Sequence, residues 1–307
     1  FFSEWYIEQK DARRAYAVCA QLHGQLEGPD TCDDRVALAR KMAHIAGQEL
    51  QSQEKEIEAW KRLLEDTPQD SEANEKLRAT YRGSQRWAAL ADHLESWVKF
   101  MPNASRERRI ELLFELTEIY QNASQLPSEE KLLEAYRRIA EDAPGNEVAL
   151  DHLAHSYEDQ SRWRDLVGVL EQKLQVSTDP LDLLDIHHRI ASLYFERIRS
   201  DEEALPVLQQ LLAMDPDNPE VLRHLREIHL RRFDQVRVYE TYQEELRFLK
   251  GRDRLDILVE LATIASRDLR NHEEALDWWR QVLEVDGSHA EALRALQEQH
   301  TRMRDWP

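Results

Sequence analysis

The strongest constraint in this sequence is an internal period. Four segments align without gaps: AWKRLLEDTPQDSEA from Ala59, AYRRIAEDAPGNEVA from Ala135, VLQQLLAMDPDNPEV from Val207 and WWRQVLEVDGSHAEA from Trp278. Their starts lie 76, 72 and 71 residues apart. A unit too small to bury its own apolar face must stack on its neighbours, so a fixed period points to an array of stacked elements. In each segment an apolar helix end runs into an acidic residue, then Pro68, Pro144, Pro216 or Gly287, then polar residues that open another helix. Extending the alignment puts Leu77, Leu153, Leu225 and Leu296 in one column and Tyr81, Tyr157, His229 and His300 in another. Trp87, Trp163 and Trp306 share a third, where the remaining module has Gln235.

Each module divides again into two helix pairs, because apolar residues recur at three- and four-residue spacing on both sides of every break. Ile190, Leu193 and Tyr194 share one face, and Leu208, Leu211 and Leu212 share the next. Ser200 with Glu203 and Ser288 with Glu291 read as capping boxes, while Asp179-Pro180 and Asn218-Pro219 put Pro at a first helical position. The expected fold class is all-α, an α-solenoid of about 17 helices in antiparallel pairs, the first near residues 1 to 9. One array is expected, with modules at 1–33 (partial), 34–104, 105–179, 180–252 and 253–307 (partial).

Composition agrees with long amphipathic helices. Only 8 Gly and 10 Pro occur in 307 residues, too few for a fold of many tight hairpins. The net charge of −19, spread over both halves, repels phosphate backbones and anionic lipid, so no nucleic acid is expected as partner. No apolar run reaches the ~18 residues of a membrane helix, and no membrane insertion is expected. The start FFSEWYIEQK has neither a basic segment nor a small-residue cleavage site, which favours the cytoplasm. Since residue 1 is Phe, the chain reads as part of a longer one, and a periplasmic or secreted location stays open. Cys19 and Cys32 have no metal spacing and make no disulfide framework. The sequons at Asn103 and Asn122 read as chance.

No chemistry-bearing constellation emerges. His152 with His155, and His187 with His188, lack the further converging ligands a metal site needs, so no metal is expected. There is no Gly-rich phosphate loop, no Ser nucleophile elbow and no His-Glu-x-x-His run, so neither a cofactor nor catalytic residues are expected. Glu129-Glu130 and Glu202-Glu203 sit at helix starts, where they complement the helix dipole. The Trp column, with Tyr81, Tyr120, Tyr136, Tyr157, Tyr194 and Trp279, reads as packing between helices. Trp5 and Trp278 do not fit that reading and are candidates for exposure.

The stretch from Leu183 to Pro216, with Ile190-Ala191, Tyr194, Ala204, Leu208 and Pro216, resembles the tetratricopeptide repeat. Leu261-Ala262, Ala275 and Trp279 follow the same pattern, as do Leu116-Thr117, Tyr120, Tyr136 and Pro144, and more weakly Met42-Ala43, Trp60 and Pro68. Alternate repeats depart from it. Arg78, Arg226 and Gln297 stand in the small-residue column, where only Ala154 fits, and Leu90, Leu166 and Val238 replace the Ala of the second helix. Such large residues are expected to hold helices further apart in a degenerate array.

The resemblance implies a right-handed superhelix and a non-enzymatic scaffold whose first helices line a concave surface for a peptide or partner helix. It places on that surface Arg40 and His44, Glu75 and Arg82, Phe114, Glu118 and Gln121, Asp151, His155 and Glu158, His188 and Phe195, and Arg223 and Glu227. Family members that bind C-terminal carboxylates use Lys and Asn there, and no such clamp is present. Instead Glu111, Glu118, Asp151, Glu158 and Asp159 concentrate acid, with Phe114 and Phe195 as aromatic anchors. The expected partner is a protein or peptide segment carrying Lys or Arg and an apolar residue. Two other readings stay open: a regulatory or substrate-recruiting arm of a larger enzyme, and self-association through open solenoid ends.

Pro206 inside a helix and Gln235 in the Trp column mark the module from about 180 to 249 as the most deformable. Amide hydrogen exchange is expected to be faster over 201–240 than over 130–165; equal protection in the two segments would refute this.

Overall fold

The computed structural model describes residues 11–26, 28, 31–102, 105–122 and 129–304, with side chains as far as 298. The helix expected over 1 to 9, Trp5 and Trp306, and the His300 side chain fall outside this set. Regular structure among the described residues is entirely helical. In chain order the helices are α1 Ala12–Gln25, α2 Cys32–His44, α3 Gln53–Asp66, α4 Ser71–Gly83, α5 Trp87–Phe100, α6 Arg106–Asn122, α7 Glu129–Asp142 and α8 Glu147–Asp159. There follow α9 Trp163–Val176, α10 Pro180–Ser192, α11 Asp201–Met214, α12 Pro219–Arg231, α13 Gln235–Glu245, α14 Gly251–Arg267, α15 His272–Val285 and α16 Ala290–Arg304. Helices α2 and α10 each run on into a π-helical turn, Ile45–Glu49 and Leu193–Ile198. The chain divides into two compact units, Phe1–Ser156 and Tyr157–Pro307.

Short polar side chains start the helices. Asp70 accepts from the Ala73 N–H at 2.9 Å, Asn146 from Ala149 at 3.0 Å, and Asn218 from Glu220 and Val221. Ser200 accepts from the Glu203 N–H at 3.4 Å as expected, but the Glu203 carboxylate also reaches Arg164. The box expected at Ser288 does not form. Helix α16 starts later, at Ala290, and the Ala292 N–H donates to His289 Nδ1 while the Ser288 hydroxyl donates to Asp286.

Three first helices end the same way. Gln85, Ser161 and Phe233 take left-handed backbone (φ 56, 54 and 56°), and the next residue donates back to Tyr81, Tyr157 or His229. This is the six-to-one bond of a Schellman end, which satisfies carbonyls the helix leaves open. The Tyr/His column is thus set by helix termination as well as by packing.

Apolar columns form the core. Leu77, Leu153 and Leu225 are buried, and Leu90, Leu166 and Val238, in the column where the family has Ala, are completely so. The Trp column is a correction. Trp87, Trp163 and Gln235 are the first residues of α5, α9 and α13, and none of the three is buried. Trp87 is 39% exposed, and Trp163 is half-buried under the Arg197 guanidinium. Trp278, a candidate for exposure, is instead half-buried and donates its Nε1–H to the Tyr239 hydroxyl at 2.7 Å.

Two modules share an ion-pair clamp between the start of a first helix and the end of its partner. Arg35 grips Asp66 through Nε at 2.9 Å and Nη2, and Arg109 grips Asp142 through Nε at 2.5 Å and Nη2. All four side chains are largely shielded, and bidentate geometry makes such pairs worth more than ordinary surface pairs. In the later modules Met214 and Val285 occupy the Asp column and are exposed. Hydrogen bonding to Arg35 holds the Asp66 carboxyl below its usual range. A depressed folded pKa stabilises above the unfolded value of about 3.9 and is lost as pH falls through the folded one. Asp66→Asn is therefore expected to lower the thermal midpoint at pH 6 to 7, with the difference from wild type shrinking steadily below pH 4. A difference independent of pH would contradict the clamp.

Candidate interaction surface

In the first compact unit, α2, α4 and α6 are first helices of successive hairpins, and charged side chains join them edge to edge. Arg40 on α2 pairs with Asp70, at the α4 N-terminus, and lies 3.6 Å from Glu72. His44 sets its ring edge-on against Trp60, centroids 5.6 Å apart, and faces Glu72 at 3.7 Å. Between α4 and α6 the contact is denser. Arg78 donates through Nε to Glu115 at 2.6 Å and through Nη1 to Glu75 at 3.1 Å, while Arg82 donates to the other Glu115 oxygen at 3.4 Å. Arg108 returns from α6 to Glu75. A carboxylate as buried as Glu115 requires pairing to offset its lost hydration. Arg78, an outlier in the small-residue column, supplies that partner. Its bulk is directed into a specific ion pair.

Beside this pair lies an open cleft of 290 Å³ bounded by Arg82, the Trp87 ring, Glu115, Glu118, Ile119 and Asn122. Its polar wall is mainly carboxylate and its apolar wall is an exposed indole. Among the described residues Glu118 takes no ion pair, whereas Glu111, one turn earlier than Phe114, is held by Arg108 at 2.5 Å. Phe114 is half-buried, and Gln121 donates to the Tyr136 hydroxyl at 3.0 Å. Another cleft, of 350 Å³, contains Arg40 and His44 along one side of α2. Asp151 and His155, on α8, are exposed.

The second compact unit has its own cleft, 360 Å³, between α10 and α12, lined in part by His188, Arg189, Glu220 and His224. His188 Nε2 lies 3.3 Å from Asn218 Nδ2. Phe195 has one neighbour on its ring stacked at 4.1 Å, His224, and a second, the Arg231 guanidinium, at 4.9 Å. Burial pushes the His224 pKa down, favouring the neutral ring in this stack. Glu158 pairs with Arg189 at 2.6 Å, Arg223 with Glu220 and Glu227 with Arg231, each at 3.4 Å, and Asp159 is exposed. Of the expected residues, Arg40 and His44, Glu118, and His188 thus line three separate clefts, while Phe114, Asp151, His155 and Phe195 line none of the three.

Sequence reasoning missed the buried carboxylates Glu115 and Glu245. Their signal was available: each arginine in the small-residue column, Arg78 or Arg226, calls for an acid on a packed helix, and Arg226 finds Glu245 on α13. Trp87 was missed as a surface residue because its recurrence in phase suggested packing.

Helical hairpins stacked on one another, each leaving a first-helix row with shallow clefts, define an α-solenoid. Residues 149–184 match the model described as tetratricopeptide repeat. The match falls on the alternate repeat that carries Ala154, not on the stretch from Leu183 to Pro216. Similar solved structures include YrrB, "a TPR protein with an unusual peptide-binding site", at 14% identity over 63% of this chain and 96% of that one, TM-score 0.34. The C-terminal part of a TPR repeat-containing protein from Cytophaga hutchinsonii is 12% identical over 85% and 99%, TM-score 0.33. The TPR domain of P58(IPK) is 16% identical over 86% and 76%, TM-score 0.30. No curated protein matches the chain.

Burial raises the Glu245 pKa and one of its carboxylate oxygens has no hydrogen-bond partner, so Arg226 is what makes the charged form tolerable. Arg226→Met is expected to cost about 3 kcal/mol at pH 7. Because the folded pKa of Glu245 is raised, its charge weighs on the fold as pH rises through that value, and the loss should shrink on acidification toward pH 5. A loss that is constant with pH would show that Arg226 contributes packing alone.

Proposed function

We propose that this protein is a non-enzymatic interaction scaffold that takes a basic, partly apolar polypeptide segment on its first-helix row. The observation that carries the reading is an imbalance of charge. In the first compact unit Arg40, Arg78, Arg82 and Arg108 are all engaged by carboxylates of the chain, while Glu118 stands exposed with no ion pair beside an exposed indole. The field offered by the α4–α6 cleft is therefore negative and its contact surface amphipathic, which suits a cation next to an apolar group. Asp151, on α8, adds exposed acid in the same compact unit. Among the described residues no helix is long and apolar enough to cross a membrane and no three metal-ligating side chains converge.

The test uses two fluorescein-labelled twelve-residue peptides of alternating Leu and polar residues, one with Arg and one with Glu at the polar sites. Fluorescence anisotropy is expected to report saturable binding of the Arg peptide alone, weakening severalfold between 50 and 300 mM salt. Asp151→Lys combined with Glu158→Lys should weaken it further while the thermal midpoint stays within a degree or two, since both are exposed. Equal binding of the two peptides, or indifference to salt and to the double reversal, would overturn the reading.

A further inference from the structure

Trp87 and Trp163 open α5 and α9 in the same way. Each follows a left-handed residue, Gln85 or Ser161, and an Arg at the helix cap, and each occupies the same column of the internal alignment. Their rings are treated differently. Trp163 carries a guanidinium from its own chain: Arg197, in the π-helical turn that extends α10, stands 5.4 Å from the ring centroid. Aligning Ile190-Ala191 and Tyr194 with Leu116-Thr117 and Tyr120 brings Arg197 into register with Ala123, so the earlier module has no arginine at that position. The same register puts Glu118 where the later module has Ser192. At these two positions one module has the cation without the acid and the other the acid without the cation.

We infer that the cleft between Trp87 and Glu118 is a binding site for a guanidinium side chain supplied by a partner, laid over the indole as Arg197 lies over Trp163. The inference rests on the scaffold reading and specifies which group of the basic segment is held, and where. Trp offers the strongest ring face for a cation, and a desolvated guanidinium gains most when a carboxylate completes its coordination. Glu118 is exposed on the cleft wall and takes no ion pair among the described residues, and the indole Nε1 makes no hydrogen bond there. Glu115, the second acid of the wall, is engaged by Arg78 and Arg82, which fixes the wall without filling the cleft. The volume of 290 Å³ accommodates a planar guanidinium and part of its alkyl stem, with Ile119 as the apolar surface for that stem.

The experiment is an NMR titration of the indole N–H resonances of the full chain, with Trp87 and Trp163 assigned from Trp→Phe variants. The probes are N-acetyl-arginine methylamide and its neutral isostere N-acetyl-citrulline methylamide. The Trp87 resonance is expected to shift saturably with the arginine probe, with Kd on the order of millimolar for a single side chain, and not with citrulline. Glu118→Gln should weaken that binding about threefold or more while leaving the other indole resonances in place. Arg197→Ala should uncover the template, so that Trp163 begins to respond to the same probe. An unresponsive Trp87, or equal shifts with both probes, overturns the inference. If Trp87 fails to respond but the Arg-Leu peptide still binds in a salt-dependent way, the scaffold reading stands and the cleft is the wrong place. If neither binds, both fall.

Discussion

Glu115 is a carboxylate held almost out of water by two arginines of the preceding hairpin, and the geometry of the first compact unit follows from that arrangement. Isolated burial would cost several kcal/mol, so the charge is tolerable only if α4 and α6 sit where Arg78 and Arg82 can reach it. The pair acts as a registration device between first helices. Apolar columns drive stacking but are forgiving about sliding; a two-arginine grip on one buried carboxylate is not. The cleft beside it inherits its shape from this grip, because Arg82 and Glu115 form one wall while Glu118, a helical turn further on, faces the Trp87 side with its charge unpaired.

Arginine in the small-residue column is therefore a substitution with a partner. The tetratricopeptide pattern uses a small residue there to bring helices together, and Ala154 keeps that solution. Arg78 solves the same packing problem with an acid on the next first helix, Arg226 with an acid on its own hairpin partner, Glu245. These pairs and the Arg35–Asp66 and Arg109–Asp142 clamps neutralise as much acid as base and so leave the acidic excess untouched. The net charge of −19 is therefore carried by the remaining side chains, which bears on what the surface can attract.

The all-α architecture was legible because two signals repeat independently, apolar spacing within helices and Pro or Gly breaks at a common phase. The starts expected at Asp179-Pro180 and Asn218-Pro219 are where α10 and α12 begin. Periodicity alone failed at the Trp column. A residue recurs in phase whether it faces the core or sits at the helix start, and Trp87 does the latter. The candidate surface was legible as a list of first-helix positions but not as clefts, because ion pairing between helices depends on side-chain reach across contacts that the sequence does not display. Glu118 and Glu111 read alike in sequence; only the position of Arg108 separates an answered charge from an unanswered one. Phe195 reads as an open anchor until His224 and Arg231 are seen against its ring.

The central claim is that the Arg78–Glu115 pair registers α4 against α6. A double-mutant cycle, with Arg78→Met, Glu115→Gln and the double variant compared by urea unfolding, measures that coupling directly. The account expects each single change to destabilise, and the double variant to recover part of the loss, giving a coupling of about 1 to 3 kcal/mol. Strictly additive effects, with coupling within about 0.3 kcal/mol of zero, would show that apolar stacking alone sets the register and that the buried carboxylate is incidental.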